Sequence, residues 1–299
     1  MSVPSDSDTE AGGPVPTTDI HCHLLPGVDD GPASLAESIR VAEAASKAGV
    51  TRVVATPHCG DEGSPSASKE QVLEGVALLN RELQERGIDL TVLPGSEAWV
   101  SANLIERYRR GQVTSLNDLS RYLLLEWSDY EIPRSMSSRM FELRAHSLTP
   151  IIAHPERNIA VQDDPNVFYR FARKGAVGQV NACSLVHGDA EVQRAACILV
   201  ETGMAELLAS DCHSADHGYD CFLAAQEKLT SLVGADRMQS MVSRAPTRVV
   251  QGRRLPRRPK RYRLSPLRWI RERVPELLFP EGNSRDGTAR SGRGEVARR

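Results

Sequence analysis

The chain has 299 residues, 40% hydrophobic and 25% charged, with a formal net charge of −2. That length suits one large domain, and the composition supports a real core. No apolar run approaches the length of a membrane span, and the polar, acidic start lacks the basic and apolar regions of a secretory signal.

The balanced charge hides an asymmetry. Gly252 to Arg299 holds 15 basic and 5 acidic residues, a charge of +10, while residues 1–251 carry −12. Two regions of opposite character therefore meet near Gly252. Residues 1–17 read as a disordered leader, 18–251 as one folded domain, and 252–299 as a basic, disordered tail. Within the tail, Arg253 to Arg263 is a run that could hold an anionic partner such as a membrane surface or nucleic acid. Leu264 to Leu278 reads as one amphipathic helix. The six cysteines (Cys22, Cys59, Cys183, Cys197, Cys212, Cys221) show no C-x-x-C spacing. A reduced, cytoplasmic protein is the simplest account, with Cys22 and Cys212 as packing residues.

In chain order, Thr18 to His23 reads as a short strand running into the Gly/Pro-rich turn Leu24–Gly31. Ser34-Leu35-Ala36-Glu37 is a capping box for a helix to about Lys47. Thr51–Thr56 is a β-branched buried strand, followed by Pro57-His58 and a polar loop from Cys59 to Ala67. Ser68 with Gln71 caps a second helix to about Arg86. Asp89–Leu93 is the third strand, ending in Pro94-Gly95-Ser96-Glu97. A short helix over 103–110 precedes the strand Tyr122–Leu125, which ends in Glu126. A helix over 134–146, the strand Thr149–Ala153, a helix over 165–174, the strand Ala176–Val180, the helix Ala190–Thr202 and the strand Ala205–Ala209 follow. One or two helices span about 219–242. Some seven strand–helix units imply a parallel sheet.

Metal-capable side chains follow six of the seven strands: His21, His23 and Asp30, then His58, Glu97, Glu126 and His154, then Asp211 and His213. In an open sheet the residues at the two edges could not converge. In a closed or nearly closed barrel all strand ends open on one mouth, where active sites are built. On a strand, His21 and His23 share a face. A shell of imidazoles and carboxylates suits manganese, iron or zinc, and carboxylates can bridge two ions. Ions about 3.5–4 Å apart clamp a phosphoryl group and lower the pKa of a shared water. Arg157, three residues after His154, is assigned to substrate phosphate binding; a surface ion pair with Glu156 is its alternative. Asn181, after the sixth strand, is placed in the substrate pocket. His146 reads as structural.

These motifs resemble the PHP (polymerase and histidinol phosphatase) superfamily, in His21-x-His23, His58, His154 and Asp211-x-His213. Within it, the phrases Leu25-Pro26-Gly27-Val28-Asp29-Asp30-Gly31, Ala55-Thr56-Pro57-His58, Leu93-Pro94-Gly95-Ser96-Glu97 and Ala153-His154-Pro155-Glu156-Arg157 resemble the bacterial manganese-dependent protein-tyrosine phosphatases of capsule and exopolysaccharide systems. The resemblance covers about Thr18 to Val250. It implies an α/β fold, a distorted (β/α)7 TIM-like barrel with a metal site at the C-terminal strand ends. It also implies two or three ions, manganese first with iron or zinc as alternatives. His21, His23, Glu97 and Asp211 would bind one ion, and Glu97 would bridge to a second held by His58, Glu126 and His154. Asp30 and His213 would serve a third. Asp30, His213 or a metal-bound water would protonate the leaving phenolate. The implied substrate is phosphotyrosine on a tyrosine autokinase of polysaccharide synthesis or export.

None of the six cysteines has Arg at position +6, which excludes the cysteine-dependent phosphatase mechanism. Two alternatives stand beside the tyrosine phosphatase. One is a phosphatase of a small metabolite such as histidinol phosphate. The other is a non-catalytic metal-bound scaffold, against which the full set of ligand-type residues and Arg157 counts.

Overall fold

The computed structural model describes residues 16–60 and 66–263. Strand β1 (Thr17–Cys22) is buried from Thr18 onward, so Thr17 belongs to the fold rather than to the leader. Helix α1 (Leu35–Lys47) starts where the Ser34 side chain accepts from the Glu37 amide. The expected capping box is half made, because the Glu37 carboxylate accepts from Ala33 N rather than from Ser34. Strands β2 (Val50–Ala55) and β3 (His58–Cys59) follow. Helix α2 (Lys69–Glu85) carries a complete Ser68–Gln71 capping box and buries Val72, Val76, Leu79 and Leu83, an i, i+4, i+7, i+11 stripe. Then come β4 (Thr91–Pro94), β5 (Glu97–Trp99), α3 (Leu104–Arg109), β6 (Tyr122–Glu126), α4 (Met136–Ala145) and β7 (Thr149–Ala153). The chain continues through α5 (Ile159–Asp163), α6 (Asn166–Ala172), β8 (Val177–Asn181), α7 (Ala182–Val186), α8 (Ala190–Glu201) and β9 (Ala205–Ala209). It closes with α9 (Tyr219–Val233), α10 (Ala235–Gln239), a π-helical turn at Ser240–Arg244 and α11 (Ala245–Val250).

All strand pairs in the two sheets are parallel. One sheet has the order β1-β2-β4 and the other β3-β5-β6-β7-β8-β9. The strand pairing therefore forms two sheets rather than one ring, and two of the seven expected strands are each split in two. Thr56-Pro57 separates β2 from β3, where proline removes a ladder donor. Gly95-Ser96 separates β4 from β5. A Cβ on Gly95 would stand 2.8 Å from Val54 Cγ1 and 3.0 Å from Leu116 Cδ2, so only glycine permits this close approach. Glu97 N donates to Pro57 O at 3.1 Å across the break. At the other side, Asp211 N donates to His21 O and His23 N to Cys212 O, each at 2.9 Å, tying the segment after β9 to β1. Inside, Ile20, Val54, Leu124, Ile151, Val177 and Leu207 from six strands form one core.

Three features depart from the sequence reading. Helices α5, α7 and α11 were not expected; α5 and α7 are five-residue turns each capped by an Asn side chain, Asn158 and Asn181, and α11 has six residues, all too short to leave a periodic signal. Cys183 of α7 and Cys221 of α9 form a disulfide, with Cα atoms 5.0 Å apart. The expectation of six reduced cysteines is thereby corrected: the pair is 38 residues apart in sequence and meets only through tertiary packing. The third departure is at the start of the basic segment. Leu255 is 7% exposed within the core, Tyr122 Oη donates to Arg253 O at 2.8 Å, and Lys260 N donates to Thr202 O at 2.8 Å. Residues 253–260 thus form a strap packed on the body. The chain divides into two compact units after Arg261. Of the second unit only Tyr262 and Arg263 are described, and the expected amphipathic helix over 264–278 lies outside the described residues. No helix among the described residues is long and apolar enough to cross a membrane.

Candidate metal centre

The nine predicted ligand-type residues lie near or just past the C-terminal ends of the seven expected strands, with His58 and Glu97 on the short second pieces of the two split strands and Asp30 in the turn following β1. His21 lies on β1 and His23 one residue beyond its end. His58 opens β3, Glu97 opens β5, Glu126 closes β6, and His154 follows β7. Asp211 and His213 follow β9. Two of them sit on left-handed backbone, His154 at φ 28° and Asp211 at φ 52°. For residues other than glycine this conformation costs on the order of 1–3 kcal/mol. The sharp turns it makes aim both side chains inward.

The donors fall into three overlapping groups. His21, His23, Glu97 and Asp211 form the buried one, with His21 Nε2 3.2 Å from Asp211 Oδ1 and 3.3 Å from Glu97 Oε2. His58, Glu97 and Glu126 form the second, with His58 Nδ1 3.1 Å from Glu97 Oε2 and 3.6 Å from Glu126 Oε2. His154 Nε2 joins it, 3.1 Å from Glu97 Oε1. His23, Asp30, His58 and His213 form the third, with His213 Nε2 3.3 Å from Asp30 Oδ1. Glu97 is 1% exposed and Asp30 64%, so the cluster runs from a dry floor to a wet edge.

The donor set fits metal. Glu97 Oε2 is buried without a hydrogen-bond partner, yet nitrogens of His21, His23 and His58 stand 3.1–3.4 Å from it. A buried anionic oxygen facing three imidazoles leaves a cation to satisfy it. Electrostatics agree. Burial alone would push the His21 imidazole down, but the Glu97 and Asp211 carboxylates hold it up, at about 9. Burial opposes charge on Glu97, yet His21 and a hydrogen bond from His154 hold it well below the usual carboxylate range. Glu126 is pushed up, by burial and then by Glu97. His213, lowered by burial and by His23, stands apart from the other imidazoles.

Arg157 is 44% exposed at the rim and pairs with Asp129, at 3.2 Å, rather than with Glu156. Its other amino nitrogen lies 3.9 Å from Asp211 Oδ2. Glu156 is buried and accepts from Asn181 N at 2.9 Å. Asn181, expected in the substrate pocket, has its side chain already engaged: its amide donates to Asp211 Oδ2 at 2.7 Å and its oxygen caps α7. It positions Asp211. His146 is the residue at which α4 ends, away from the donor groups.

Sequence reasoning missed the residues that hold the ligands. Asp29 Oδ2 lies 2.6 Å from His23 Nδ1 and accepts from His58 N, while Gln179 Oε1 lies 2.9 Å from His21 Nδ1. Each fixes a ring so that Nε2 points into the cluster. Asp29 neighbours Asp30 in the turn and carried a readable signal. Gln179 lies inside β8, where only strand alternation with Asn181 gave a hint. Beside the cluster, Val28, His58, Trp99 and Glu126 line a cavity of about 590 Å³.

Residues 17–251 match the family model for capsular polysaccharide synthesis, CpsB/CapC. Tyrosine-protein phosphatase YwqE of Bacillus subtilis is 35% identical over 197 residues, 66% of this chain and 77% of its own length. Tyrosine-protein phosphatase CpsB of Streptococcus pneumoniae is 25% identical over 238 residues, 78% and 97% of the two lengths. A crystal structure from work on YwqE and CpsB, described as metal-dependent tyrosine phosphatases, aligns with a TM-score of 0.76 at 30% identity, covering 82% of this chain and 99% of that one. The chain belongs to the CpsB/CapC family of capsular polysaccharide synthesis.

Proposed function

We propose that this chain is a metal-dependent phosphomonoesterase that removes phosphate from phosphotyrosine in protein. The observation that carries the reading is Glu97, a buried carboxylate shared between two donor groups and ringed by His21, His23, His58 and His154. The relatives named above are tyrosine phosphatases, and both are described as metal-dependent. We read the two parallel sheets as a distorted seven-unit barrel, split at Thr56-Pro57 and Gly95-Ser96, that opens its C-terminal strand ends on one mouth.

Bound divalent ions supply charge neutralisation at phosphorus and a water of lowered pKa. His21, His23, Glu97 and Asp211 would hold one ion, His58, Glu97, Glu126 and His154 a second, and Asp30 with His213 a third; manganese suits this shell, as do iron and zinc. Arg157 binds the phosphate oxygens and stabilises their growing charge, since its guanidinium stands at the rim with one face toward Asp211. Water adds to phosphorus as the P–O bond to the tyrosine breaks. The leaving phenolate takes a proton at the exposed edge, where Asp30 and His213 stand 3.3 Å apart. Val28 and Trp99 offer an apolar wall for the tyrosine ring beside the cluster. A protein substrate can reach this mouth because Asp30 and Arg157 stand exposed at it; we expect a tyrosine autokinase as that substrate, in the cytoplasm.

The test is hydrolysis of a phosphotyrosine peptide against histidinol phosphate, with full-length chain stripped by chelator and reloaded with manganese. Manganese-dependent turnover of the peptide is expected. Turnover of the metabolite alone would move the chain to a small-molecule phosphatase, and no turnover of either by metal-loaded protein would favour the scaffold.

A further inference from the structure

The opposite end of the molecule carries a second, unassigned cavity. It holds about 830 Å³ and is lined by the N-terminal ends of β6, β7 and β8, at Tyr122, Thr149 and Val177, and by the strap. The strands are five residues long, which places it roughly 13 Å or more from the metal ligands at their other ends.

Eight cationic side chains line this cavity and no carboxylate does. Arg144, Arg173 and Lys174 come from the ends of α4 and α6, and Arg254, Arg257 and Arg258 from the strap. Among the described residues none of the eight forms an ion pair, whereas seven other Lys and Arg residues do. Where their partners are seen, they are backbone carbonyls: Arg257 donates to Ala176 O and Ala172 O, and Arg248 Nε to Arg254 O. Carbonyls orient a guanidinium but leave its charge in place. Eight like charges around one concavity repel, and a cleft of one sign focuses its field on whatever enters.

We propose that this cavity binds a small polyanion bearing two or more phosphate groups. Seven of the eight cations are Arg, whose planar fork matches phosphate oxygens in pairs. A single phosphate monoester brings at most two charges and would leave most of the cluster uncompensated. The volume is that of a small-molecule site. A flat membrane surface would reach the rim but not the half-buried Arg257. Single-stranded nucleic acid stacks on aromatic platforms, and the one aromatic lining residue, Tyr122, has its hydroxyl bonded to Arg253 O and Leu255 N at the strap. The strap is the element that closes the basic helix ends and the strand starts beside them into a cavity, so its basic composition acquires a use.

Inorganic tripolyphosphate, with magnesium in excess, is the probe, and hydrogen–deuterium exchange on the full-length, metal-loaded chain is the readout. Exchange reports position, so binding at the metal centre registers elsewhere. Saturable protection at residues 172–176 and 253–260 is expected, persisting in Arg157→Ala. The triple change Arg254→Gln, Arg257→Gln and Arg258→Gln should weaken that binding about tenfold or more, while leaving phosphotyrosine turnover unchanged. Arg173→Gln with Lys174→Gln, on the opposite wall, should weaken it in the same sense if the strap variant fails to fold. Protection confined to the mouth overturns the proposal. So does protection unaffected by either variant. Binding to phosphatidylserine vesicles that the variants abolish, without tripolyphosphate protection, would also overturn it and assign the patch to a membrane surface.

Discussion

The two ends of this molecule use charge in opposite ways. At the C-terminal strand ends, carboxylates and imidazoles interlock within 3.1–3.6 Å, and the ionisation of His21, Glu97 and Asp211 is set by burial and by one another. At the N-terminal ends, guanidinium and ammonium groups gather with no carboxylate among them. The first arrangement is short of cations and the second short of anions. One parallel fold therefore presents a metal-hungry face and an anion-hungry face, and residues 253–260, at the start of the basic segment, pack on the body itself.

Substitutions can break this contrast in graded steps. Glu97→Gln removes the shared carboxylate and should lower phosphotyrosine turnover by on the order of 10³-fold, with loss of bound metal measured by mass spectrometry. Arg157→Ala should cost about 10²-fold in kcat/KM while metal content stays that of the parent. Asp29→Asn leaves every donor in place but loosens His23, and should weaken metal affinity by about 10–100-fold in a calorimetric titration. None of these should touch the basic cavity.

Protons sharpen the same comparison. In the metal-free chain His21 is held up to about 9 by Glu97 and Asp211, so at pH 7 it carries a proton that metal must displace. Metal uptake should therefore release protons, and apparent affinity should rise between pH 6 and pH 9. Calorimetry in buffers of different ionisation enthalpy measures the release. The sign for stability is opposite. A group whose pKa is raised from 6.5 to about 9 on folding stabilises the metal-free protein below the lower value, and that contribution fades as pH climbs through the higher. The smallest expected effect on catalysis comes from Leu255→Ala. It should cost about 2–3 kcal/mol of unfolding free energy in denaturant titration, yet leave turnover per folded molecule unchanged.

Much of the metal end could be read from sequence because its residues follow strands one by one. His21, His58, His154 and Asp211 each sit where a β-branched or apolar run stops, and that pattern alone implies convergence. Neither the hydrogen bonds behind them nor the cysteine pair could be read this way. Gln179 meets His21 across 158 residues, and Cys183 meets Cys221 across 38; such contacts are properties of packing. The strap was misjudged for a related reason. Pro, Gly and Arg in residues 252–260 carry a disordered composition, but the single buried side chain Leu255 and several backbone bonds to the body outweigh it. The split of the third strand was visible as Gly95, whose meaning depended on Val54 and Leu116 lying against it.

The central claim is that the His and carboxylate cluster holds the metal on which phosphotyrosine hydrolysis depends. The most direct measurement is turnover of a phosphotyrosine peptide as manganese is returned stepwise to stripped full-length protein, with bound ions counted by native mass spectrometry at each step. Turnover should rise with occupancy, and Glu97→Gln should gain neither. Full turnover by protein carrying no metal, or undiminished turnover by Glu97→Gln, would contradict the central claim.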